Sequence, residues 1–237
     1  LGGVSSQKHL APLFNTSVVG VFIVLATLLL RNWWLPSAID IHPFLREKRS
    51  RSRPRIFWFM GVIGFCAAVG EGAASDWGGI LSRNTFHASP FLSTVPYVLF
   101  CVAMVSGRFS GDSLATKFSS KKILIATGLL AGGGLLIGLL VGSMFGIIFA
   151  WVTLGLGVSI VIPTLFSMSG TVAKERFAEA IAPAEAVSIV SGITYSGFMA
   201  GPPVIGLLSN HISLRWAMLI PALLAISYSY LANRILD

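Results

Sequence analysis

The chain has 237 residues, of which 54% are hydrophobic and 11% charged, with a formal charge of +8 and a mean hydropathy of +0.81. Soluble domains carry about 25% charged residues, so this composition argues against a soluble globular domain and points to lipid as the surrounding solvent. The two cysteines, Cys66 and Cys101, both fall in uncharged runs; they make neither a disulfide framework nor a metal-ligand spacing and are expected to be apolar filler.

In chain order, the first uncharged run is Ala11–Leu30, too long and too poor in basic lead-in for a signal peptide. The chain opens on Leu1, not Met, so a piece cut from a longer protein is expected. A basic stretch follows, REKRSRSRPR at 46–55, whose charge and Pro54 predict a solvated linker. Its ordinary role is to set topology, and its sharper one is contact with anionic lipid. The second run, Ile56–Gly70, extends through the lone Glu71, and the third is Ala88–Gly107.

From Ile123 to Ala173 there are 51 residues without Asp, Glu, Lys, Arg or His. As one helix they would reach about 77 Å, against a hydrocarbon core of about 30 Å. The run must therefore cross twice, and Val141-Gly142-Ser143 is the place to turn. The last runs are Ala186–Asn210 and Trp216–Asn233. In lipid every backbone polar group needs an internal partner, so each crossing is predicted to be a helix. The expected fold is an all-α integral membrane protein of seven transmembrane helices. Its parts are 1–40 (one helix with its lead-in), a linker at 41–55 and a six-helix bundle at 56–237.

The net positive charge does not indicate nucleic acid. Tracing seven helices from an outside N-terminus puts thirteen basic residues in inner segments, Arg108, Lys117, Lys121 and Lys122 among them. Arg31 adds to them at an inner helix end, and only Lys8, Arg83 and Arg215 fall outside. This positive-inside bias predicts a cytoplasmic linker and C-terminus.

Small residues recur every four positions at Gly134, Gly138 and Gly142 and at Gly64, Ala68 and Gly72, a spacing that lets helix backbones approach closely. Pro163 and Pro202-Pro203 remove intrahelical donors and predict kinks or breaks, either gating or static. Glu71 follows 15 uncharged residues and is expected about three-quarters of the way across its helix. A carboxylate at mid-span costs about 2.5–3.5 kcal/mol on insertion scales, so it should face the bundle interior, and protonation would remove much of the cost. Proton coupling or solute contact is one reading; a hydrogen-bonded network with Asp76 and Trp77 is the other. Asp76 alone reads as solvated, and Trp77 as an interfacial belt residue or an aromatic wall over a solute. Ser188, Ser191 and Tyr195 share one helical face and are candidates for a polar path, as are Thr94 and Tyr97. His87 and His211 fall in outer loops and lack partners for a metal site.

Several segments carry a resemblance. GRFSGDSLATKFSSKKIL at 107–124 resembles the cytoplasmic loop signature of the major facilitator superfamily, departing from it at Thr116 and Ser119. EGAASDW at 71–77, GLGVSIVIPTLFSMSG at 155–170 and SGFMAGPPVIGLL at 196–208 resemble its seventh, tenth and eleventh helices. The resemblance is to the bacterial fucose-permease-like and multidrug-like group, over about Thr16 to Arg234. It implies helices six to twelve of a twelve-helix carrier, lacking the first five, in the bacterial inner membrane. It also implies an inner latch among Arg108, Asp112, Lys117, Lys121 and Lys122, with a plain topology signal as the alternative.

The function implied is secondary transport of a small sugar-like or drug-like solute between two rocking halves, with proton coupling and no enzymatic step or cofactor. The implied partners are that solute, the lipid bilayer and the missing N-terminal half. No Gly-x-x-x-x-Gly-Lys-Ser/Thr loop is present to bind ATP. A retinal protein would need a lysine inside Trp216–Asn233, and an intramembrane protease a histidine inside a span; neither is found. A structural or assembly role for a truncated half is the other reading.

Overall fold

The computed structural model describes residues 12–30 and 54–235. The chain divides into two units, Leu1–Lys48 and Arg49–Asp237. In the first, α1 spans Pro12–Leu30. The basic linker, apart from Pro54 and Arg55, lies outside the described residues.

The second unit is all helical among its described residues. Its elements are α2 (Arg55–Phe86), a 3-10 turn (Leu92–Thr94), α3 (Val95–Lys117), α4 (Ser120–Val141), α5 (Met144–Val158), α6 (Val161–Arg176), α7 (Pro183–Ser209), α8 (Leu214–Ala217) and α9 (Leu219–Ile235). Among the described residues, five stretches are long and apolar enough to cross a membrane: Arg55–Phe86, Leu92–Lys117, Ser120–Val141, Met144–Arg176 and Leu214–Arg234. The 27-residue α7 is as long but more polar. The protein is thus an all-α membrane protein.

The uncharged double crossing turns where its length requires. Gly142 ends α4 in the left-handed region at φ 64°, and Ser143 begins α5 by accepting a hydrogen bond from the Gly146 amide. Only glycine adopts that φ without cost. The Arg215 guanidinium closes the same end of α4, donating to the Leu139 carbonyl at 2.8 Å and the Leu140 carbonyl at 3.2 Å. It sits 5.0 Å above the Trp216 ring. A cation at a helix C-terminus meets both the orphan carbonyls and the negative end of the helix dipole. We expect Gly142→Ala to destabilise the fold by about 1–2 kcal/mol through the backbone alone. Arg215→Gln should cost about 0.3–2 kcal/mol. Thermal unfolding in detergent measures both.

Two seams of small residues hold the bundle. On α2, a Cβ at Gly61 would stand 2.7 Å from Ile193, and Gly64 faces Thr194. Ala68 meets Gly197, and Gly72 meets Phe198 and Pro202. On α4, Gly134 faces Thr153 of α5 and Gly138 faces Ala150. The four-residue spacings thus mark the α2–α7 and α4–α5 contacts, except that Gly142 serves as the helix stop. The α4–α9 contact adds Gly128 and Gly132 against Ala222, Ala225, Ile226 and Ser229, with the Ser229 hydroxyl donating to the Ile125 carbonyl at 3.0 Å. Trp151, fully buried, donates its indole N–H to the Ala74 carbonyl at 3.2 Å and ties α5 to α2.

Helix bounds differ from expectation at three places. α2 does not stop near Glu71 but runs 32 residues to Phe86, because Gly78, Leu81 and Ser82 continue its buried face, Gly78 under the Trp151 ring. α3 continues past Arg108 to Lys117, because Gly107 and Gly111 pack on Ser159 and Ile160. The span at Pro163 breaks upstream of the proline, at Ser159–Ile160, whereas α7 runs unbroken through Pro202-Pro203.

Candidate functional site

The break between α5 and α6 follows from one missing atom. Pro163 has no N–H for the Ser159 carbonyl, so the helix opens there and resumes with the Thr164 amide on the Ile160 carbonyl at 3.0 Å. Arg108 of α3 takes the freed carbonyl, its Nε–H donating to Ser159 O at 3.4 Å. The Ser159 hydroxyl turns back to the Leu156 carbonyl at 2.6 Å. Gly107 faces Ser159, so no Cβ stands between α3 and the break.

Arg108 therefore lies inside a helix, nine residues from its Lys117 end and not in a loop. Arg108 is exposed, and its aliphatic stem leans toward the preceding turns of α3, as helical side chains do. Arg108 and Glu71 flank the same end of α5: Gly70, next to Glu71, meets Val158, and Gly107, next to Arg108, meets Ser159. Glu71 is half-buried, near the midpoint of the 32-residue α2 and not three-quarters along, and it makes no hydrogen bond with the described residues. The two opposite charges close no ion pair.

Asp76 is exposed and accepts from the Ser75 hydroxyl at 3.1 Å. Trp77 donates its indole N–H to the Pro202 carbonyl at 3.2 Å, with its ring against Gly206. Trp77 thus clamps α2 to α7, and the network expected among Glu71, Asp76 and Trp77 does not form. Tyr97, 40% exposed, stacks on Phe100 with ring centres 6.0 Å apart and stands in the field of Glu71 and Asp76. Tyr195, 55% exposed, meets Phe166 edge-on at 6.3 Å and stacks on Phe198 at 6.2 Å. Ser191 spends its hydroxyl on the Ser188 carbonyl at 3.1 Å. Thr94 likewise donates to the Phe91 carbonyl at 2.8 Å. His87 forms the left-handed cap of α2, and both His87 and His211 are exposed.

Below Arg108, toward the Lys117 end of α3, lies an open cavity of about 470 Å³ between α3, the start of α4, and α6. Asp112 lines it one helical turn beyond Arg108. Thr164, Ser167 and Thr171 share the facing side of α6. The expected latch residues are thus split. Arg108 and Asp112 share the cavity, while Lys117 ends α3 and Lys121 and Lys122 sit in the first turn of α4, across the short Phe118-Ser119 connection. What sequence reasoning missed is the pairing of Arg108 with the Ser159 carbonyl. Its signal was Pro163, four residues after the carbonyl it frees.

No family model matches the chain. It is 25% identical over 232 residues to a membrane protein, MosC, of Rhizobium meliloti, covering 92% of this chain and 55% of that one. An uncharacterised MFS-type transporter of Yersinia pestis is 29% identical over 178 residues, 75% of this chain and 44% of its own. An uncharacterised transporter of Sinorhizobium fredii is 27% identical over 233 residues, 94% of this chain and 59% of its own. The chain spans about half the length of these curated relatives. Among solved structures, the major facilitator superfamily transporter FucP in its outward conformation matches 78% of this chain and 43% of its own. Its TM-score is 0.67 at 23% identity. The Escherichia coli fucose:proton symporter FucP matches with the same TM-score at 22% identity. The chain has the fold of part of a major facilitator superfamily transporter.

Proposed function

We propose that this chain is the C-terminal portion of a secondary transporter that moves a small solute across a bacterial inner membrane by alternating access, with proton coupling through Glu71. It acts as a carrier and not as an enzyme. The observation that carries this reading is the central triad: a carboxylate at the middle of α2, a guanidinium opposite it, and a helix broken beside both. An uncompensated carboxylate in a span is costly, and such groups mark ion and proton paths. A broken helix held by a single long hydrogen bond is a hinge able to bend as the site changes sides. The likeness to a fucose:proton symporter supports a solute of sugar size moved with protons. The whole protein, expressed in cells lacking their own uptake systems, is expected to accumulate such a solute and to lose it on addition of a protonophore. Equal accumulation with the gradient collapsed refutes proton coupling. No accumulation of any solute in a broad screen leaves the structural role of a truncated half as the better reading.

The orientation assigned from basic residues, with linker and C-terminus cytoplasmic, has its own test. In a variant without Cys66 and Cys101, an impermeant thiol reagent outside the cell should label Asn84→Cys and spare Ser50→Cys. The opposite pattern inverts the assignment.

A further inference from the structure

We propose that the solute is an anion, bound through its carboxylate by Arg108 in the cavity between α3 and α6, and that its binding hands a proton to Glu71. This deepens the transporter reading and rests on it. The cavity of about 470 Å³ opens beneath the guanidinium and falls in the size range of small-molecule sites. Arg108 spends only Nε–H, on the Ser159 carbonyl, so its two terminal amino groups have no partner among the described residues. Guanidinium donors in a planar fork match a carboxylate in two parallel hydrogen bonds. The Thr164 and Ser167 hydroxyls on the facing wall suit a solute that also carries hydroxyls. Asp112, a turn farther along the same wall, repels a second acid group and limits the solute to one.

Charge bookkeeping then links the solute to the proton. With the cavity empty, the Arg108 cation and an ionised Glu71, which flank the same end of α5, sum to zero. A bound carboxylate takes over the guanidinium, and Glu71 is left in a low-dielectric span with no opposing charge. A lone carboxylate there favours its neutral form, so it takes up one proton from water. Arg108 cation, solute anion and neutral Glu71 again sum to zero, and the loaded carrier has the net charge of the empty one. Release of the solute reverses both steps. The remaining titratable groups do not substitute for Glu71. On its own helix Cys66 is a buried thiol and Asp76 is exposed; on α3 Tyr97 is a phenol and Cys101 a thiol; α5 carries none. Tyr195 of α7 and Tyr228 of α9 are phenols, and the charges of α6 lie in its last turn.

The test uses the whole purified protein and two matched sets of probes: lactate, gluconate and quinate, against uncharged glycerol, glucitol and inositol. At least one carboxylate should raise the melting temperature while its uncharged counterpart does not. Arg108→Gln should raise the concentration for half-maximal stabilisation at least about tenfold, and Arg108→Lys less. Because Arg108 also holds the Ser159 carbonyl, Thr164→Val serves as a second variant; it should weaken the polyhydroxylated gluconate and quinate more than lactate, which has a single hydroxyl. In lightly buffered solution, the binding carboxylate should draw one proton from the medium per protein, and Glu71→Gln should abolish that uptake. Stabilisation by the polyols equal to that by the acids overturns the inference, as does no stabilisation by any acid, or an Arg108→Gln protein that binds as before. Gradient-driven accumulation of an uncharged solute would leave the transporter reading standing and remove this one. Carboxylate binding with proton uptake but no movement across vesicles would do the reverse.

Discussion

Glu71→Gln is expected to abolish gradient-driven accumulation in the whole protein while sparing solute binding and exchange. The amide keeps the shape and hydrogen-bonding reach of the acid but cannot gain or lose a proton. Glu71 is half-buried beside Gly70 and Gly72, both buried, at the middle of a helix about 48 Å long. It has no hydrogen bond that would hold it in one protonation state, only the Arg108 guanidinium opposite. A carrier that moves one proton per cycle needs one such group, and the described helices hold no other half-buried carboxylate at mid-span. Counterflow in proteoliposomes reads exchange, and uptake under an imposed pH gradient reads accumulation. If Glu71→Gln still concentrates solute with the same pH dependence, Glu71 is a packing residue and the proton path lies elsewhere.

The second large effect concerns the helix crossings. Gly155 of α5 and Gly197 of α7 perform the same task at two different contacts. A Cβ at Gly155 would stand 2.5 Å from the Phe100 carbonyl oxygen, and one at Gly197 would stand 2.5 Å from the Phe65 carbonyl oxygen. Both obstacles are backbone, which cannot swing aside as a side chain does, so the helices themselves must part. We expect Gly155→Ala and Gly197→Ala each to cost about 1–3 kcal/mol, and the pair to prevent stable assembly of the bundle. The same protein supplies its controls. Gly133 and Gly192 have nothing within 4 Å of the added carbon, so alanine there should be neutral or stabilise by up to about 1 kcal/mol through helix propensity. Chemical unfolding in detergent compares the four. Equal losses at all four positions would show that flexibility, and not close approach, sets the need for glycine.

Much of this fold was legible because lipid enforces simple rules. A run of 51 uncharged residues exceeds the membrane's thickness and must turn, and the one glycine flanked by a capping serine is where it does. Four-residue spacings of small side chains found the α2–α7 and α4–α5 seams, since in lipid close packing and not burial brings helices together. The major facilitator resemblance rested on short motifs, and the fold agrees with it. Helix ends and side-chain partners were not legible, because a charged residue in the sequence looks like a boundary. Glu71 was placed three-quarters of the way along its helix and Arg108 just beyond the end of an apolar run, yet α2 and α3 continue well past both, because Gly78 under Trp151 and Gly107 against Ser159 keep one face buried. Pro163 signalled a break in the sequence. Only the packing of α3 against α5 brought Arg108 to the carbonyl which that proline leaves open, since the pairing joins residues 51 positions apart whose approach is set by the helix crossing.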